Sequence, residues 1–155
     1  MLKIKIIAVG GIKEKSYKDL ILEYKKRLKP YAKFEIIELQ SEPFRREQDK
    51  EKVKKNEEEK FLKIIEKNSE SLIVALDENG RGLTSREFAV FLEQEKREII
   101  FLIAGTLGFT EKIKKSAQIN LSLSLLTFPH EMARIILTEQ IYRAITILKN
   151  KKYHY

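Results

Sequence analysis

The amino-acid sequence predicts an α/β fold with a largely parallel sheet flanked by helices. Short, strongly apolar runs alternate along the chain with longer segments of helical periodicity, the pattern of repeated strand–helix–strand units. The runs Leu72–Leu76 and Ile99–Ala104 are apolar at every position, which is typical of central strands covered on both faces. The chain has 155 residues without an internal repeat or a linker, so we expect one domain over residues 1–155.

The first half of the chain predicts two strands and two helices. Alternation that passes into an apolar run predicts a buried strand over Leu2–Val9, which a pair of glycines ends. Apolar residues at four-residue spacing predict a helix over Tyr17–Lys29, and a second strand follows over Phe34–Leu39. A loop then leads to a long, highly charged helix over Glu47–Lys67.

The second half continues the alternation. The strand Leu72–Leu76 is followed by Asp77–Gly82, whose composition predicts a turn-forming loop. Thr84 and Glu87 have the spacing of a capping box and open a helix that runs through Leu92. The remaining elements are, in order, a strand over Ile99–Ala104, a short helix over Glu111–Ser116, a strand over Ile119–Leu123 and a last helix over His130–Leu148.

The composition favours an anionic partner and excludes several kinds of site. Lys plus Arg is 31 against 23 for Asp plus Glu, a net charge of +8 that favours nucleic acid. Many lysines are interleaved with glutamates, so a merely solubilising surface explains the charge equally well. The absence of cysteine excludes zinc–sulfur sites, and with only two histidines we expect no metal. No run reaches the roughly 18 apolar residues of a membrane span, so we expect a cytoplasmic protein without a membrane partner.

Three loops are the candidate ligand-binding segments. Asp77–Gly82, Gly105–Gly108 and Ser124–Pro129 each follow an apolar strand, so they should lie side by side at the carboxyl edge of the sheet. Glycines let a ligand approach the backbone, and the leucines and hydroxyls of the third loop suit an adenine ring. A plain turn before a helix remains the alternative for both glycine loops. The patterns of dinucleotide dehydrogenases and P-loop NTPases are missing from the sequence.

The last helix, His130–Leu148, is apolar around its whole circumference and must therefore be buried on all sides. Packing against a second copy of the chain and burial in its own core explain this equally well. Glu139 and Arg143 have the spacing of a structural ion pair. His130 adjoins the third loop, and Tyr153 and His154 could stack on a base or simply pack on the surface.

Together these segments resemble a known family, the bacterial ribosomal RNA large-subunit methyltransferase H family of the SPOUT superfamily. The resemblance covers essentially the full length. Its most specific parts are the Ser-Leu-x-Leu-Thr-x-Pro-His and Glu-Gln-x-Tyr-Arg-Ala motifs. The segments that carry it are Leu76-Asp77-x-x-Gly80, Gly105–Gly108, Leu123–His130, Glu139–Ala144 and Tyr153-His154.

The resemblance implies a fold, a reaction and a set of site residues. It implies a SPOUT-type α/β knot, in which the C-terminal part forms a deep trefoil knot, and a homodimer that uses S-adenosylmethionine. The family methylates N3 of a pseudouridine in large-subunit (23S) ribosomal RNA on the assembled ribosome. The positions that match cofactor-binding residues are Leu76, Gly105, Ser124, Leu125, Leu126, Thr127, Phe128 and Pro129. Those expected near the target base are His130, Arg143, Tyr153 and His154.

The sequence departs from the family at two positions, and two other functions are possible alternatives. Ala104 stands where the family usually has glycine, and Tyr155 stands where it often has a basic residue. A non-catalytic RNA-binding or ribosome-assembly module is one alternative function. An enzyme that acts on a small nucleotide is the other.

Overall fold

The computed structural model describes residues 1–153 and contains five strands and five α-helices within that range. The strands are β1 (Leu2–Val9), β2 (Ala32–Leu39), β3 (Leu72–Gly82), β4 (Ile99–Ile103) and β5 (Ile119–Ser122). The helices are α1 (Lys15–Leu28), α2 (Lys50–Lys67), α3 (Ser85–Gln94), α4 (Glu111–Ser116) and α5 (His130–Leu148). A single 3-10 turn, Glu47–Asp49, precedes α2 and takes the first residues of the predicted charged helix.

The strands form one sheet in the order β2–β1–β4–β3–β5, and every neighbouring pair is parallel. This confirms the predicted α/β class. The apolar segment Leu72–Leu76 of β3 and the apolar strand β4 lie inside the sheet, as their composition indicates, and β1 pairs on both sides as well. The carboxyl ends of β1, β4, β3 and β5 therefore meet along one edge.

Helices cover both faces of the sheet. Even-numbered residues of β1, such as Ile4 and Ile6, pack in the cluster that contains the apolar side chains of α3 and α5. The odd-numbered Ile7 and Val9 pack with Phe61 of α2 and with residues of α4. Because strand side chains alternate between faces, this period of two separates the α1, α3 and α5 layer from the α2 and α4 layer.

The predicted loop Asp77–Gly82 is wrong in its extent, because β3 continues to Gly82. Leu76 and Arg81 both pair with Leu121 of β5, so the residues between them leave the sheet as an arch and the strand then resumes. A Cβ on Gly80 would lie 2.6 Å from the Asn120 carbonyl group, so only glycine allows this close approach of the two backbones. The turn-forming residues thus build a bulge inside a strand.

The helix α5 lies between α1 and α3 and is buried in its own chain to a large degree. Leu137, Ile141 and Ala144 are fully covered, and no residue of α5 falls in the exposed class. Met132 and Ile136 remain partly exposed. The expected homodimer stays a prediction. Within residues 1–153, no helix is long and apolar enough to cross a membrane.

Candidate functional site

A cavity of about 880 Å³ opens at the carboxyl edge of the sheet. All three predicted loops contribute to its wall, so the expectation that they lie side by side is confirmed. Its volume falls within the range of small-molecule and cofactor pockets. The lining residues that the sequence singled out are Leu76, Gly105, Ser124, Leu126, Thr127, Phe128, Pro129 and His130.

The arch of β3 forms an acidic wall of the cavity, and its side chains contact two neighbouring segments. The Asn79 amide donates to Asp77 Oδ1 at 3.1 Å, and Lys114 Nζ lies 3.1 Å from Asp77 Oδ2. Thr127 Oγ1 donates to Glu78 Oε2 at 2.9 Å. These contacts join the arch to α4 and to the loop after β5, so the acidic side chains are held at the cavity rather than left free.

The glycine loop after β4 forms a second wall. The Gly108 amide donates to the Gly105 carbonyl at 3.1 Å, and Gly108 has φ +73°, a conformation that favours glycine. A Cβ on Gly105 would lie 2.9 Å from Glu57 Oε1 and 3.2 Å from Val9 Cγ1. A side chain at residue 105 would therefore have to displace Glu57, because the backbone of Gly105 lies close to this carboxylate and to Val9.

The loop after β5 is folded by its own hydroxyl groups. Ser122 Oγ donates to the Ser124 carbonyl at 2.9 Å, and the Leu126 amide donates to Ser124 Oγ at 3.0 Å. Leu126 is 72% exposed and lines the cavity, whereas the side chain of Leu125 is 93% exposed and lies outside its lining. The loop thus presents an apolar side chain at the cavity mouth with nothing packed over it.

His130 begins α5, with Pro129 in the capping position, and its side chain lines the cavity. One turn later Arg134 is fully buried. Its Nη1 donates to Glu38 Oε1 and its Nη2 to the Gly10 carbonyl, both at 2.8 Å. Arg134 therefore fastens the start of α5 to the carboxyl ends of β1 and β2 and fixes where His130 stands.

Arg143 and Tyr153 lie at the other end of α5, in a cluster of their own. Arg143 Nη2 donates to Glu139 Oε1 at 2.7 Å, which confirms the predicted ion pair. The Tyr153 hydroxyl lies 3.3 Å from the same oxygen and 3.2 Å from the Tyr24 hydroxyl. Burial raises the pKa of the Tyr153 phenol, and the contacts with Tyr24 and Glu139 raise it further, so the phenol stays protonated.

A single chain does not bring the predicted base-binding residues together. Arg143 follows His130 by thirteen positions in α5, a separation of about 20 Å along a helix axis. Neither Arg143 nor Tyr153 lines the cavity. The fourth of these residues, His154, lies outside the described part of the chain.

Sequence reasoning missed Glu57, a buried carboxylate of α2 that touches the glycine loop. The sequence places it only within a long, highly charged helix. A signal was present, because Val53, Glu57 and Phe61 follow one another at four-residue spacing and so share one helix face. Within residues 1–153, no cluster of His, Asp or Glu has the make-up of a metal site.

The chain matches a family model described as "Predicted SPOUT methyltransferase" over residues 2–154. It is 44% identical to "Ribosomal RNA large subunit methyltransferase H" of Caldicellulosiruptor saccharolyticus, with 97% of this chain and 99% of that protein covered. It is 42% identical to the protein of the same name from Streptococcus uberis, with 99% of each covered. A probable methylase family protein from Haemophilus influenzae Rd KW20 has a similar fold, with a TM-score of 0.60 at 16% identity over 100% of this chain and 72% of that one.

Proposed function

This chain belongs to the SPOUT methyltransferase family, and we propose that it methylates N3 of a pseudouridine in 23S ribosomal RNA on the assembled ribosome. The observation that carries the proposal is the convergence of three loops, each after a parallel strand, on one cavity of about 880 Å³. The names of its full-length relatives support ribosomal RNA as the acceptor.

The chemistry of the cavity fits S-adenosylmethionine, which when bound supplies an electrophilic methyl group on a sulfonium. Leu76, Leu123 and Leu126 give apolar surface for an adenine ring. The carboxylate of Glu78 complements a cationic ligand, whereas that of Asp77 is paired with Lys114. The proposed cofactor-binding residues are Leu76, Gly105, Ser124, Leu125, Leu126, Thr127, Phe128 and Pro129, with Leu125 contributing its backbone, since its side chain points outward.

The target nitrogen must lose its proton before it can act as a nucleophile. The Arg143 guanidinium is the group that would stabilise the negative charge that develops on the ring. Tyr153 has a raised pKa and already shares its hydroxyl with Glu139, so we assign it to holding the tail rather than to accepting the proton. That leaves His154 as the proposed proton acceptor and His130 as a residue that orients the base beside the cavity.

A homodimer would place the two ends of α5 at one site. Because Arg143 is about 20 Å from His130 along the helix, a base at the cavity mouth can meet both only if Arg143 comes from a second copy. The partly exposed Met132 and Ile136 offer apolar surface for such a contact. We also propose the C-terminal trefoil knot that the resemblance implies.

The basic charge fits an RNA partner. A net charge of +8 attracts phosphate, and each neutralised phosphate releases a counterion. Arg45, Arg46 and the lysines of α2 are the proposed contacts. Binding to ribosomes should therefore weaken steeply as the salt concentration rises, and affinity that does not respond to salt would contradict this part of the proposal.

The decisive experiment is transfer of tritium-labelled methyl groups from S-adenosylmethionine to ribosomes from cells that lack the enzyme. We expect incorporation into the large-subunit RNA at a single pseudouridine, and none into naked RNA or free nucleoside. Incorporation into free nucleoside would favour an enzyme of small nucleotides. Failure of the protein to retain labelled S-adenosylmethionine in equilibrium dialysis would favour the non-catalytic module.

A further inference from the structure

Glu57 is buried, with only 6% of its surface exposed. It lies on the same face of α2 as Val53 and Phe61, both of which are also buried. Its Oε2 atom has no hydrogen-bond partner among residues 1–153. Burying a carboxylate is costly unless its oxygens are paired, and an apolar residue of similar size would cost less. Packing alone therefore does not explain a glutamate at this position.

The carboxylate of Glu57 occupies the space where residue 105 would carry a side chain. A Cβ on Gly105 would lie 2.9 Å from Oε1 and 3.3 Å from Oε2. Gly105 is the first residue of the turn that its carbonyl closes with the Gly108 amide. Glu57 thus touches the glycine loop without being one of the residues that line the cavity.

The charges that face Glu57 come from its own helix and from the loop before it. Lys60 favours the ionised carboxylate and Glu42 disfavours it, while burial is the largest influence and raises the pKa of Glu57. The backbone amide of Gly105 acts in the opposite direction and favours the charged form. The glycine loop and the end of β1 contain no ionisable side chain, since residues 104–109 and Val9 are all uncharged.

We propose that Glu57 is a positioning residue whose carboxylate fixes the turn Gly105–Gly108 and thereby sets the affinity of the cavity for S-adenosylmethionine. This inference rests on the proposed function. The close contact between residues 57 and 105 couples the two positions, so a change at one should alter the effect of a change at the other. A residue that acts on a ligand through a loop in this way changes binding without touching the ligand.

The first test measures S-adenosylmethionine affinity by calorimetry in four full-length proteins: wild type, Gly105→Ala, Glu57→Ala and the double variant. Gly105→Ala pushes a methyl group into the carboxylate, so we expect affinity to fall by about tenfold or more. In the Glu57→Ala background the same substitution should cost little, because the space is free. Glu59→Gln, an exposed neighbour on α2, is the matched control and should bind as wild type does.

The second test separates positioning from general stability. Glu57→Gln keeps the size of the side chain and removes its charge. We expect its cofactor affinity to be lower than that of the wild type at neutral pH and to change less on mild acidification. Wild-type affinity should fall as the pH is lowered toward the raised pKa of Glu57. Hydrogen exchange of the amides of residues 105–109 without cofactor should be faster in both Glu57 variants.

The outcomes distinguish this inference from the function on which it rests. If the wild type does not bind S-adenosylmethionine, the proposed function fails, and hydrogen exchange of the loop still decides whether Glu57 fixes it. If the wild type binds but Glu57→Gln shows the same affinity, pH dependence and exchange, the inference is overturned. Equal penalties for Gly105→Ala in both backgrounds would overturn it as well. Should Glu57→Ala not fold, the glutamine variant carries the test.

Discussion

The two ends of α5 are held in place by different physical means. At the N-terminal end the Arg134 guanidinium is fully buried and binds Glu38 and the Gly10 carbonyl. At the C-terminal end the Arg143 side chain stays 27% exposed beside Glu139, with the Tyr153 ring against it. A buried guanidinium is costly to remove, whereas a partly exposed pair contributes little to stability. Arg134 thus serves to stabilise the fold, whereas Arg143 keeps a partly exposed charge that a ligand can reach.

Replacing each arginine in turn tests whether the two ends of α5 contribute differently to stability. Arg134→Ala leaves a cavity and an unpaired carbonyl, so we expect the free energy of unfolding to fall by about 3 kcal/mol. Arg143→Ala should lower it by less than about 1 kcal/mol. Urea unfolding measures both, with the exposed Arg86→Ala as the control. Similar losses at the two ends would show that they are not held differently.

The methylation rate should depend strongly on Arg143, although the stability of the fold should not. Arg143→Ala should lower the rate of ribosome methylation by about 100-fold with unchanged cofactor affinity, because it removes charge needed only as the proton leaves. Gly105→Val should abolish cofactor binding, since a branched side chain at this position would meet both Glu57 and Val9 and displace the loop.

Mixing these two inactive variants distinguishes the two arrangements of the site. If Arg143 serves the cavity of the other copy, half the dimers of an equal mixture gain one intact site. Activity then returns to about a quarter of the wild-type value. If both ends of α5 serve the same copy, no dimer has an intact site and the mixture stays inactive. The readout is methyl incorporation after co-refolding or subunit exchange, and each variant refolded alone is the control.

The hydroxyl of Tyr153 offers a smaller perturbation of the C-terminal end. Tyr153→Phe removes its contacts with Glu139 and Tyr24 but keeps the ring on Tyr142. We expect a loss of about 1 kcal/mol in the free energy of unfolding. A larger loss in methylation would indicate that the tail must be held in register for the reaction. Unchanged stability together with unchanged activity would remove Tyr153 from the proposed site.

The smallest effect concerns alkaline pH. Because the folded chain raises the pKa of Tyr153 above its unfolded value, this group stabilises the fold fully below the ordinary tyrosine pKa. That contribution is lost as the pH rises toward the raised value. Wild-type protein should therefore lose more stability than Tyr153→Phe when the pH is increased beyond about 10. Parallel pH curves for the two proteins would contradict the environment described for the phenol.

The sheet and its three loops could be predicted because their causes are local. The burial of β1 and the apolar segments of β3 and β4 follow from the sequence itself, and so does the capping box, in which Thr84 and Glu87 exchange both hydrogen bonds. The extension of β3 could not be predicted, since Arg81 pairs with Leu121 across forty positions of the chain.

The partners of the buried charges were beyond the sequence for the same reason. Arg134 lies in an apolar helix, and its partner Glu38 is 96 positions away in the chain. Glu57 faces Gly105 across a contact that only the packing of α2 against the edge of the sheet creates. The candidate site residues come from the resemblance, and the separation of His130 from Arg143 already follows from their thirteen positions in one predicted helix. That neither Arg143 nor Tyr153 lines the cavity emerged only from the fold.

The arch in β3 is a point beside the cavity at which the chain can change its length. It leaves and rejoins the sheet opposite the same residue, Leu121, so both its ends are anchored at one point. Residues can therefore be added between Leu76 and Arg81 without displacing a strand on either side, at a modest entropic cost. Length variation at this point offers a route to enzymes of altered ligand preference on an unchanged scaffold.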